Sequence, residues 1–275
     1  MRKSLFSKTT GAMTSVCELM CIFVKEALPR LDCWEKWGEI RAMDKERILS
    51  TPQARTNSLL RNVYLWMTAG LVLTTVVAYV IGSNQELLYR IYSSGILFML
   101  VIAQLVIVFM LSLRLRKMSA TSAIVWFAIY SVCTGAMLSA VIAIYAKAVI
   151  ARAFLTTALM FGGMSIFAMT TKRDLSRMGN ILVMALIGMI VASLVNVFLN
   201  SEGLYYALSY VGVVLFCALT AWDTQKIVRL NNEYGDEIDE DTFVKLSIIC
   251  ALELYLDFIN IFLYLLRIFG RGSRN

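Results

Sequence analysis

The sequence predicts an all-α membrane protein of seven transmembrane helices, with the last one central and wrapped by the other six. Three observations lead there. Of the 275 residues, 59% are hydrophobic and only 16% are charged, with a mean hydropathy of +0.70; soluble domains carry about a quarter charged residues. Seven apolar stretches lie near 62–82, 91–113, 121–145, 151–171, 178–200, 204–229 and 243–269. Each is about long enough to cross a hydrocarbon layer of about 30 Å as a helix. The last stretch, ALELYLDFINIFLYLLRIFG, is almost wholly apolar yet holds Glu253, Asp257 and Asn260 in its interior. These recur at i, i+4 and i+7, which is one face of a helix. A carboxylate at membrane depth costs about 2.5 kcal/mol or more, so that face must meet protein or a wet cavity.

The chain divides at about residue 54. Residues 1–54 form a polar and amphipathic extension, and 55–275 the seven-helix domain. Thr14–Leu28 has Val16, Leu19, Met20, Phe23 and Val24 on one side of a short helix. Its place is either on the membrane surface or in a loose extension. Glu18 and Lys25 bound an apolar run too short for a signal peptide. Both prolines, Pro29 and Pro52, precede the first apolar stretch, so no membrane helix is kinked by one. Gly162, Gly163, Gly179, Gly188 and Gly212 are positions where helices can approach closely. With no His and six Cys, no zinc pattern forms. Cys133, Cys217 and Cys250 read as small core residues, and disulfides are not expected of a region facing a reducing cytoplasm.

The net charge of +7 reads as membrane orientation and contact with lipid headgroups rather than nucleic-acid binding. Thirteen basic residues flank one side: Arg41, Lys45, Arg47, Arg55, Arg61, Arg114, Arg116, Lys117, Lys172, Arg173, Arg177, Lys226 and Arg229. Six flank the other: Arg90, Lys147, Arg152, Arg267, Arg271 and Arg274. The richer side is the cytoplasmic one. The N-terminus is therefore expected in the cytoplasm and, after seven spans, the C-terminus outside.

The sixth stretch ends in LTAWDTQKIVRL, which sets Asp223 within the membrane or at its inner edge. The acidic turn Asn232–Asp241 then leads into the seventh, so the two helices are antiparallel neighbours and Asp223 can approach Asp257. Carboxylates that share a pocket resist joint ionisation and can share one proton. In a chain without His, such a pair is the natural pH sensor. The structural alternative is a solvated helix-end Asp223 and a satisfied core Asp257. Arg114, ending the second stretch, is either a latch onto a carboxylate or a membrane anchor. Gln104, Glu253 and Asn260 are candidate pore-lining groups. The acidic turn is either a solvated turn or a calcium antechamber. No phosphate loop, nucleophile elbow or redox CxxC is present, so no enzyme and no cofactor are expected.

LTAWDTQKI, ALELYLDFINIFLYLLRIFG and TTKRDLSRMGNILVMALIGMIVASLVNVF resemble the motifs of the transmembrane Bax inhibitor motif family, also called Bax inhibitor-1-like proteins, and specifically its bacterial branch. The resemblance covers roughly residues 55–270. It implies a seven-helix fold around the last helix, and a pH-sensitive calcium leak across a bacterial cytoplasmic membrane. Carried onto this chain, the paired carboxylates, with oxygens suited to contact calcium, are Asp223 and Asp257, and the latch arginine falls near Arg114, with Arg116 the alternative. Gln104 stands where many relatives have Glu, and Glu253 where a small neutral residue is usual. Expected partners are the lipid bilayer and calcium ions. The competing expectation is an interaction protein that modulates a membrane protease or a stress or cell-death pathway without conducting ions.

Overall fold

The computed structural model describes residues 16–22, 24–25, 56–93, 96–114, 117–234 and 239–272. Among these residues every regular element is helical. The helices are α1 (Thr56–Ser83), α2 (Gln85–Ser93), α3 (Ile96–Arg114), α4 (Ala120–Ile144), α5 (Lys147–Thr170), α6 (Gly179–Leu199), α7 (Glu202–Tyr234) and α8 (Glu240–Gly272). All but the short α2 are long and apolar enough to cross a membrane. The sequence reading, with spans at 62–82 and 91–113, left most of α2 in the connection and its last three residues in the second span. It is instead a separate amphipathic helix of 9 residues, begun by Asn84, whose side chain accepts from the Glu86 and Leu87 amides. An Arg90–Glu86 pair at 2.6 Å runs along its exposed face.

Local chemistry fixes the helix ends. Ser119 caps α4 by accepting from the Ser122 amide. Asp239 caps α8 by accepting from the Thr242 amide at 3.1 Å. Asn200 ends α6 with φ of 50°, a left-handed conformation that Asn tolerates better than most residues. Between α5 and α6, Gln225 of α7 clamps the loop. It accepts from the Leu175 amide and donates to the Arg173 carbonyl, at 2.7 and 2.8 Å.

Burial separates the helices by role. In α8, 94% of the most apolar window is buried, against 22% in α1 and α6. The main neighbours of α8 are α7, α1, α5 and α4, while α3 packs on α4 and α6 on α7. The outer helices turn residues such as Phe98, Leu159, Ile181 and Phe198 outward, the surface a lipid layer covers. Polar bonds tie the centre together. Thr74 of α1 donates to the Ser131 carbonyl of α4 at 3.0 Å, which leaves its oxygen to accept from the Tyr255 hydroxyl of α8 at 2.7 Å. Of the glycines named above, Gly179 and Gly212 do sit under close neighbours. A Cβ on either would stand 2.5 Å from the Trp222 or the Tyr264 ring. Gly162, Gly163 and Gly188 face open space instead, because they lie where no second helix covers them.

The N-terminal helical residues 16–22 and 24–25 lie neither on a surface nor loose. Met20, Cys21 and Val24 are fully buried in the core of the bundle. The Tyr130 hydroxyl of α4 contacts the Met20 sulfur at 3.1 Å. The remainder of Thr14–Leu28, the Asn232–Asp241 turn up to residue 238, and Arg116 lie partly or wholly outside the described residues.

Candidate functional site

Two antiparallel helices supply the carboxylates. Going up α7 by three residues, from Asp223 to Lys226, corresponds to going down α8 by four, from Asp257 to Glu253. Both steps keep to one helical face. The register therefore pairs Lys226 with Glu253, at 3.0 and 3.4 Å. It also leaves Asp223 and Asp257 facing the same ammonium. That ammonium belongs to Lys25. Its Nζ is 2.7 Å from Asp223 Oδ2, and 3.1 and 3.5 Å from the two oxygens of Asp257. One turn earlier, the Cys21 thiol meets Asp257 Oδ1 at 3.6 Å. Both lysines approach the Trp222 ring, with Lys25 Nζ at 5.8 Å and Lys226 Nζ at 5.6 Å from its centroid. Both are within cation–π range.

The side chains of Lys25, Asp223, Asp257 and Glu253 are fully buried, and that of Lys226 is 16% exposed. The cluster thus holds three carboxylates against two ammonium groups, a formal excess of one negative charge. Asp223 Oδ1 is buried with no hydrogen-bond partner among the described residues. A buried, uncompensated carboxylate is costly. The arrangement therefore has room for one more positive species, a proton or a cation. Among the described residues no three acidic, thiol or imidazole groups converge as a resident metal centre. Two carboxylates also fall short of the six to eight oxygens that calcium takes. As a calcium contact the pair suits a hydrated ion in transit rather than a fixed one.

The other expected residues take separate places. Arg114 is exposed at the C-terminal end of α3, where a cation complements the helix dipole; the cation at the carboxylates is Lys25. Gln104 is buried and donates to Thr134 of α4 at 2.9 Å. Asn260 is buried and turns back to the Leu256 carbonyl at 2.9 Å. Glu253, the unusual acid, is matched by Lys226 from the facing helix. Two residues counted as flanking charges are internal. Lys226 is one, and Arg267 is the other, buried over the Tyr205 and Tyr264 rings at 4.7 and 5.4 Å. Each side of the basic count loses one member, so its bias keeps its direction.

The family model described as Inhibitor of apoptosis-promoting Bax1 matches residues 56–274. The chain belongs to this Bax1-inhibitor family. Fellow members include the Inner membrane protein YbhL of Escherichia coli, 46% identical over 80% of this chain and 94% of its own length. An uncharacterized protein of Borreliella burgdorferi is 40% identical over 78% and 92%. Uncharacterized protein RP147 of Rickettsia prowazekii is 41% identical over 76% and 87%. The match to the Bax1-inhibitor family begins at α1, so Lys25 lies before the matched region. Sequence reasoning missed Lys25 as a site residue for that reason. The available signal was the spacing of Glu18, Cys21 and Lys25, three polar or soft groups at i, i+3 and i+7 on one face of an otherwise apolar helix.

Proposed function

We propose that this integral multi-pass membrane protein is a pH-sensitive, calcium-permeable leak pathway with the Asp223–Asp257 pair at its control point. The observation that carries the reading is the charge excess in the buried cluster, with one Asp223 oxygen lacking a partner. A proton taken up there neutralises the excess. A divalent cation is drawn to the same carboxylate oxygens, so the two compete for one place. Acidification weakens the carboxylates' grip on neighbouring cations and loosens α7 against α8. Flux rises as pH falls. The basic bias puts the α3–α4, α5–α6 and α7–α8 turns in the cytoplasm.

The test is calcium flux through purified protein in liposomes from about pH 5 to about pH 8, the range open to shifted carboxylates, at a fixed calcium gradient. Wild type should show a steep dependence and Asp223→Asn a shallow one. A flat wild-type profile removes the pH gate. Absence of flux at every pH favours an interaction protein without conduction.

A further inference from the structure

Lys25 reaches the carboxylate pair from outside the two helices that form it, on a segment shaped for the interior. Cys17, Met20, Cys21 and Val24 fill the core. Glu18, seven residues before Lys25 and so on the same face, is also buried. Its carboxylate lies in the field of the Arg267 guanidinium of α8. The segment therefore carries one charge of each sign toward two opposite charges of α8. At its Lys25 end, three N–H donors engage the oxygens of Asp223 and Asp257 that an entering cation would need.

We propose that the N-terminal segment is a tethered competitor for cations: the Lys25 ammonium is the resident cation of the Asp223–Asp257 centre, and a free divalent ion binds there only when Lys25 has withdrawn. The inference deepens the leak-pathway reading by adding its regulator, and it concerns occupancy of the site rather than conduction. Because Lys25 is covalently attached, it competes at an effective concentration of about millimolar or more. A free ion in the wild-type protein therefore binds weakly. Removal of the amine exposes a doubly anionic, buried site of higher affinity. The neighbouring charged and titratable groups are Glu253 and Lys226 on α8 and α7, and the thiols of Cys21, Cys217 and Cys250. None of them is altered by the change at Lys25.

Trp222 makes the site readable. Its ring is 5.8 Å from Lys25 Nζ, so terbium in place of the ammonium is sensitised by tryptophan excitation. Full-length protein in nanodiscs is titrated with terbium, then with calcium to displace it. Lys25→Met should bind terbium at least about tenfold more tightly than wild type, and Lys25→Met combined with Asp257→Asn should lose that gain. Equal affinity in wild type and Lys25→Met, or a gain that survives Asp257→Asn, overturns the proposal. A second measurement uses the unaltered chain, in case Lys25→Met does not fold. Modification of Lys25 by an amine-reactive reagent, read by peptide mass spectrometry, should be at least about tenfold slower than that of exposed Lys147. Calcium should accelerate it by displacing the amine. Lys25 labelling as fast as Lys147, or unmoved by calcium, overturns the proposal. Calcium flux through the same samples separates the two readings. Tight terbium binding without flux sinks the leak and keeps the competitor, whereas flux without either Lys25 signature sinks the competitor and keeps the leak.

Discussion

Lys25→Met removes the ammonium between Asp223 and Asp257 and keeps a flexible apolar stem of similar length. At 2.7 and 3.1 Å and an effective permittivity of about 20, each attraction is about 5–6 kcal/mol. Desolvation of a buried ammonium offsets several kcal/mol of this. The side chain that remains leaves three carboxylates facing Lys226 alone. Loss of one partner of a buried pair costs about 3–5 kcal/mol, and that is the expected destabilisation. Asp257→Asn in the same chain removes one of the stranded charges, so the double variant should be more stable than the sum of the two single changes implies. The expected coupling is at least about 1.5 kcal/mol, as for other close buried charge pairs. Unfolding in mixed micelles with increasing SDS, followed by tryptophan fluorescence, measures all four corners of the cycle. Coupling below about 0.5 kcal/mol, the ordinary scatter of independent sites, would refute the ion pair as a stabilising contact.

Three further outcomes are expected. Asp174 sits between α5 and α6, with its carboxyl held at about 2 by the Ser176 side chain and amide and by the neighbouring Arg229. A depressed carboxylate adds stability that is fully present above its unfolded value and is lost as pH falls through the folded one. Unfolding scans should therefore show a loss between about pH 4 and about pH 2 that Asp174→Asn lacks; an identical acid limb in both proteins would contradict this. Gly179→Val should lower stability by about 1–3 kcal/mol through overpacking against the Trp222 ring, whereas Gly188→Ala, in open space, should be neutral. Equal losses at both positions would show that burial does not set the cost. For topology, Ser201→Cys should react with an impermeant thiol reagent outside intact cells and Lys172→Cys should not. The reverse pattern would invert the orientation.

How legible the site was varied with where its parts lie in the chain. Asp223 and Asp257 could be brought together from sequence because they sit within consecutive helices joined by a short turn, which forces antiparallel contact. Centrality of α8 was legible because its acids needed cover. Lys226 was misread as a membrane anchor. Its position near the end of an apolar stretch suits that role, and only the facing Glu253, one residue type out of pattern, hints at an internal pairing. Lys25 lies 198 and 232 residues from its two partners, in a segment whose weak amphipathic pattern fits a surface or a core equally well. Periodicity reports that a helix has an apolar side but not what covers it. The glycines divide for the same reason: sequence shows where a close approach is permitted, and packing decides whether a neighbour uses it.

Calcium flux through Asp257→Asn, reconstituted beside wild type at equal protein per liposome, tests the central claim most directly. The swap preserves volume and hydrogen-bonding capacity while deleting the charge that calcium would meet. Folding is verified first by gel filtration, and Glu253→Gln serves as a comparison because Lys226 already neutralises that acid. The expected result is a folded Asp257→Asn protein with most of its flux gone and a smaller loss in Glu253→Gln. A folded Asp257→Asn protein that conducts calcium as wild type does would contradict it and leave Asp257 a structural partner of Lys25.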